Sequence, residues 1–298
     1  EYIEAYCAAD DGFEFFGGTV NTKYLVSAFN DDDMFDTDMG YSGTNQFWFG
    51  IQAPDKRNYG MELNNQVNEQ PQVTQRTPAA DFKVYNLTMI GAGALDTTAP
   101  NGGENAAMAL RPWVGPKIYN AIFTDFNGRG VLVDTQNGIT ATQAVTGAYA
   151  QLHHTLWWDF TTGSGNGIIG NTAVNLGRGT VATNYWTDLS LSNQIVNPRL
   201  TSISRTNFGA FLDPRPQAGS PALSDYATTP AGLTQVSQQG AFGSGRGNWA
   251  SDWTALSEYG IVGGAGGSNP RLPNMTPTVP APNPATLTIS LVGANVAI

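Results

Sequence analysis

The stretch Asp11-Gly12-Phe13-Glu14-Phe15 returns 22 residues later as Asp33-Met34-Phe35-Asp36-Thr37. At the same offset, Tyr2-Ile3-Glu4 returns as Tyr24-Leu25-Val26. A third copy follows at Phe47-Trp48-Phe49 and Tyr59-Gly60-Met61-Glu62-Leu63, with four residues inserted. Each copy has two short apolar runs separated by a polar turn, and the runs alternate in the two-residue period of a strand. Neither run can bury its inner face alone, whereas stacked copies would enclose one continuous core. The expected inward side is Phe13 and Phe15, then Phe35 and Thr37, then Met61 and Leu63, and later Val131 and Val133. The expected fold is therefore all-β: a right-handed parallel β-helix, a solenoid of coils of roughly 22 residues. A two-sheet sandwich would also alternate. It gives no reason for an offset that repeats the acidic positions as well as the apolar ones.

Working outward, Lys83-Val84-Tyr85-Asn86-Leu87 opens another coil that closes near Ala107-Met108-Ala109-Leu110. Lys117 to Ile122 leads to Gly130-Val131-Leu132-Val133, and His154 to Trp158 with Asn166 to Gly170 reads as a looser copy. The polar excursions Asn64 to Ala80 and Asp96 to Asn105 interrupt the stack. The division expected is β-helix coils over 1–199, an irregular cap over 200–262 covering the last open coil, a Gly/Pro-rich linker over 263–284, and a terminal strand over 285–298. Within the cap, Trp249 to Leu256 reads as one short helix. In the terminal strand, Leu287, Ile289 and Leu291 alternate with Thr and Ser, a pattern suited to strand addition on another subunit. A homo-oligomer or filament formed through that strand is the partner this implies.

Composition agrees with many turns and few long helices. Charged residues make up only 13% of the 298, while Gly numbers 35 and Pro 17. The net charge of −10 argues against nucleic acid, whose phosphates need a basic face. No apolar run reaches the length of a membrane span. Cys7 is the only cysteine, so neither an intrachain disulfide nor a Cys-based zinc site is available. His153 and His154 are neighbours on a strand and point to opposite faces, which discourages a shared ion. The chain opens at Glu1, with neither Met nor a leader, which reads as a processed product or a fragment.

The stretch Ala9-Asp10-Asp11-Gly12-Phe13-Glu14-Phe15-Phe16-Gly17-Gly18-Thr19-Val20-Asn21 resembles a signature of large secreted bacterial β-helix surface proteins with pectate-lyase-like architecture. Asp32-Asp33-Met34-Phe35-Asp36, Gln46-Phe47-Trp48-Phe49, Gly219-Ser220-Pro221-Ala222-Leu223 and Gly240-Ala241-Phe242-Gly243 extend the resemblance over about residues 1–262. It implies an extracellular or cell-surface location and no particular chemistry. It also implies further coils before the Asp-Asp motif, so that the chain starts within a solenoid. Asn86-Leu87-Thr88 and Asn274-Met275-Thr276 fit a glycosylation pattern that carries little weight in such a protein.

If Phe13 and Phe15 point inward, Glu14 points out, and the repeat places Asp36 and Glu62 above it. Adjacent coils lie about 4.8 Å apart, so stacked carboxylates repel. Calcium accepts six to eight oxygen ligands at about 2.3–2.6 Å, and carboxylates with turn carbonyls supply them. Glu14, Asp33, Asp36, Asp38 and Glu62 are therefore candidate ligands for Ca2+, with Asp11 adding charge nearby. The use of such places for calcium by pectate-lyase-like enzymes points the same way. A lyase would also need a base beside the ion, for which Arg111 and Arg57 are the candidates by register. A hydrolase would need a carboxylate pair such as Glu14 and Asp36. Trp157 and Trp158 alternate, so one of them is expected to face solvent, where it could stack on a sugar ring. Three readings stay open: a non-catalytic surface or structural solenoid with an acidic cation-binding ridge, which we favour; a polysaccharide lyase or glycoside hydrolase; and a carbohydrate-binding adhesin.

Overall fold

In the computed structural model, the described residues are 1–65, 80–96, 106–111, 114–133, 150–160, 189–206, 208–245 and 247–263. The first strands alternate between two sheets. Strands β1 (Ile3–Tyr6), β3 (Lys23–Ala28), β5 (Thr44–Ile51), β7 (Lys83–Ile90), β9 (Lys117–Phe126), β11 (Gln151–Phe160) and β12 (Gln194–Ile195) lie side by side in that order in one sheet. Strands β2 (Phe13–Phe16), β4 (Phe35–Asp38), β6 (Met61–Leu63), β8 (Ala106–Leu110) and β10 (Arg129–Val133) form the other. Every pairing within these two sheets is parallel. Each strand therefore pairs with its equivalent one coil away, which is a parallel β-helix and not a sandwich. A small antiparallel pair, β13 (Leu200–Ser202) with β14 (Asp213–Pro216), stands apart.

The register follows the sequence repeat. Phe13 pairs with Phe35 and Phe35 with Met61, and Glu14, Asp36 and Glu62 pair in the adjoining column. Phe35, Thr37, Met61, Leu63 and Val131 are buried, while Phe13 and Phe15 are partly buried and pack against the core. Aromatic rings stack from coil to coil: Phe13 on Phe35 with centroids 5.5 Å apart, Phe35 on Trp48 at 4.4 Å, and Phe123 on Trp157 at 4.3 Å. Such stacking adds roughly 0.5–1.5 kcal/mol per pair beyond area burial, and it fixes register because one coil's ring needs the next coil's ring. The offset of 22 holds between the first two coils only. Leu25 pairs with Trp48 at 23, Trp48 with Leu87 at 39, and Leu87 with Ala121 at 34. The polar excursions lengthen the later coils without disturbing the strand columns, since loop insertions add little to closure entropy.

The segment from Leu200 to Val262 departs from the expected end cap. It runs along the outer face of the β1-to-β12 sheet and touches every coil. Asp225 accepts from Gln194 Nε2 at 2.9 Å beside β11 and β12. Ala227 exchanges two hydrogen bonds with the Asn120 amide on β9, and Thr234 does the same with Gln46 on β5. Gln238 O accepts from Asn86 on β7, and Ala241 N–H donates to Thr88 Oγ1. Phe242 packs edge-on against Phe49, and Trp249 against Tyr24 on β3. At the far end, Glu4 on β1 accepts from the N–H groups of Ala255 and Leu256. The physical reason is visible in the strands. Val26, Phe49, Ile51, Ile90 and Ile122 are apolar on the outer side as well, so that side needs a cover. The helix is also shorter than expected: Ala255–Glu258 only, with Thr254 as its N-cap accepting from Ser257 N–H.

Asn86 and Asn120 sit in one column at φ of 60° and 58°, a left-handed conformation that Asn tolerates better than most residues. Both are fully buried, so Asn86-Leu87-Thr88 is not an accessible glycan acceptor in this fold. Asn166 to Gly170, Asn274, most of the linker and the strand with Leu287, Ile289 and Leu291 lie outside the described residues.

Candidate metal centre

The acidic column arises because strands β2, β4 and β6 each place one residue outward between two inward ones: Phe-Glu-Phe, Phe-Asp-Thr and Met-Glu-Leu. The turn that enters β2 contributes Asp10 and Asp11. Its equivalent one coil on contributes Asp32 and Asp33. The carboxylate oxygens of Asp11, Glu14 and Asp36 lie within 4.8 Å of one another, as do those of Asp10, Asp11 and Asp32. Asp11 belongs to both groups. One of its oxygens also accepts the Asp33 backbone N–H at 3.0 Å, which ties the first coil to the second.

Of the five residues expected from the repeat, Glu14 and Asp36 come together. Asp33 is turned inward and buried, with Oδ1 accepting from the Tyr59 backbone N–H at 2.6 Å. Glu62 is held by Arg111, whose Nε donates at 2.9 Å, and the Arg111 guanidinium lies over the Tyr59 ring. Asp38 caps its own turn by accepting the Met39 N–H at 2.7 Å, and pairs in register with Phe16, not Glu14. The residue that joins the cluster most fully, Asp11, entered the sequence reading only as added charge nearby. The signal that would have promoted it is the Asp-Asp pair repeated at Asp10-Asp11 and Asp32-Asp33, which marks a turn above the column.

Electrostatics follow from this crowding. Burial pushes the Asp36 carboxyl up to about 9, and the charges of Asp11, Glu62 and Glu14 add to the effect. Burial likewise lifts Asp11 to about 7 against the opposing backbone hydrogen bond from Asp33. Glu14 also rises to about 7, by burial first and then by Asp10, Asp38 and Glu62. Its outer side is exposed, so water damps its share of the coupling. Asp33 is driven well above the ordinary carboxylate value by burial and by Glu62 and Asp11. Asp36 Oδ1 is buried and has no hydrogen-bond partner. A buried carboxylate oxygen in that state costs about 1–3 kcal/mol or more until it gains a proton or a cation.

The other candidates separate cleanly. Arg57 is buried in an ion pair with Asp96. Trp157 is fully buried on Phe123, so a sugar-stacking role for it is excluded by packing; Trp158, its neighbour, is the partly exposed one. His153 stacks on Tyr119 with centroids 5.3 Å apart, while His154 Nε2 lies 3.4 Å from Asp225. Among the described residues, no helix is long and apolar enough to cross a membrane.

A family model described as "Pectate-lyase like beta helix domain" matches residues 1–183. No curated protein and no solved structure matches the chain.

Proposed function

Because the chain belongs to the pectate-lyase-like β-helix family, we propose that it is an extracellular, non-catalytic structural or surface protein whose acidic ridge binds calcium. The observation that carries this reading is the meeting of Asp11, Glu14 and Asp36, with their oxygens within 4.8 Å and Asp36 Oδ1 buried without a partner. Two unit charges about 4 Å apart repel by about 4 kcal/mol at an effective dielectric near 20, so three stacked carboxylates need compensation. Calcium supplies it with two charges at once, and its loose geometry suits ligands presented by two different coils and a turn. Asp11 comes from the turn before β2, Glu14 from β2 and Asp36 from β4, so the ion would fasten one coil to the next. Catalysis is less well supported. Of the two candidate bases, Arg57 is buried and Arg111 is engaged by Glu62.

Calorimetric melting at pH 8 in calcium and in chelator tests the proposal. A ligand present at 100 times its dissociation constant stabilises the folded state by about 2.7 kcal/mol, so the melting temperature should rise by several degrees. Identical melts in calcium and chelator would sink it.

A further inference from the structure

A stack of coils in which each touches only its neighbours unfolds from its ends, because its stability is a sum of local terms. This chain carries a second set of contacts that does not obey that rule. The segment 200–262 is bonded to β1 through Glu4, to β5 through Gln46, to β7 through Asn86 and Thr88, and to β9 through Asn120. Near β11, Asp225 lies beside His154. Its apolar side joins Val26, Phe49 and Ile90, from three successive coils, to Phe242, Leu256 and Val262 in one buried cluster. The bonds are made largely by side-chain amides to backbone, in pairs that hold both the N–H and the C=O of Ala227 and of Thr234.

We propose that residues 200–262 act as a longitudinal clasp that converts the solenoid from a set of neighbour-coupled coils into one cooperative unit, and that its last turn fastens the β1 coil to the rest. Strand β1 pairs with β3, and Tyr2 and Ile3 are half-exposed. Three contacts hold it. Glu4 accepts two N–H groups at the start of the short helix, Tyr2 meets Trp253 edge-on at 5.7 Å, and Tyr6 lies against Tyr259 at 5.5 Å. The strap thereby ties the first coil to the fifth by a route other than the strand-to-strand pairing of the coils. Coupling of that kind is what a nearest-neighbour stack lacks.

Hydrogen exchange followed by mass spectrometry on the full chain tests this, with peptides covering β1, β5 and β9. In the wild type, the slowest-exchanging amides of all three strands should share one opening rate, within about threefold, as expected of one cooperative unit. Leu256→Ala leaves a cavity at the β1 end of the clasp and should raise exchange at least about tenfold in β5 and β9 as well as in β1. Glu4→Gln, a milder change that keeps side-chain volume, should raise exchange in the same three strands together, and serves if Leu256→Ala does not fold. Graded protection in the wild type, lowest in β1 and highest at the centre, would overturn the proposal. So would an increase in either variant confined to β1.

Discussion

The two sheets of this β-helix are built from the same coils yet carry opposite outer faces. The β1-to-β12 sheet turns Val26, Phe49, Ile90 and Ile122 outward, and a C-terminal strap buries them. The first three strands of the β2-to-β10 sheet turn Glu14, Asp36 and Glu62 outward, in a column that meets solvent at Glu14 and passes to the buried Ala109 on β8. Inward residues are mostly apolar on both, with Thr37 an exception. The difference shows that stacking sets the inner face of a coil, while its outer face is set by whatever lies against it: chain on one sheet, and on the other, in our reading, a cation.

The sharpest way to break that contrast is to alter one outward residue on each sheet. Phe49→Ala removes a fully buried ring from beneath Phe242 and should destabilise the fold by about 3–5 kcal/mol. Glu62→Gln, outward on the other sheet, loses a pair with Arg111 whose side chains are still partly exposed and should change stability by no more than about 1 kcal/mol. Denaturant unfolding of both variants checks this; comparable losses would mean that the two outer faces are not different in kind.

A smaller effect separates the faces by pH. Asp36 and Asp11 have carboxyls raised to about 9 and about 7 in the folded state, above their unfolded values. In chelator, the folded chain therefore holds more protons than the unfolded chain between about pH 4 and pH 9. The stability due to these groups is present in full below pH 4 and is lost as pH rises through 7 and then 9. Melting in chelator should fall by roughly 5–10 °C between pH 5 and pH 9. Calcium should flatten the slope, because the ion holds the charged forms, and Asp36→Asn should flatten it without calcium. A slope unchanged by Asp36→Asn would place its origin elsewhere.

Much of this was legible in the sequence. The 22-residue offset between Asp11-Gly12-Phe13 and Asp33-Met34-Phe35 gave the strand columns, and alternation placed Glu14, Asp36 and Glu62 together on the outer side. The role of 200–262 was not legible. Its contacts join residues such as Glu4 and Ala255, far apart in the chain, through backbone groups that leave no mark in side-chain pattern. A hint was present: Trp48-Phe49 and Val84-Tyr85 are apolar or aromatic on both sides of a strand, which calls for cover on both faces. The cluster was half legible. Register places outward residues, but Asp33 turned inward to a backbone N–H and Asp11 swung in from a turn, and turns carry no register. Trp157 and Trp158 show the same limit, since alternation said that one faces out without saying which.

The central claim, that the acidic column holds calcium, is tested most directly by titration calorimetry at pH 7.5, run in two buffers of different ionisation enthalpy. Calcium should bind with release of protons, seen as a buffer-dependent heat, because Asp11, Glu14 and Asp36 are raised to between about 7 and about 9 before the ion arrives. Binding should weaken at least about tenfold in Asp36→Asn, which removes the buried carboxylate charge. A wild-type chain that takes up no calcium, or one that binds it equally well after Asp36→Asn and without proton release, would contradict the account.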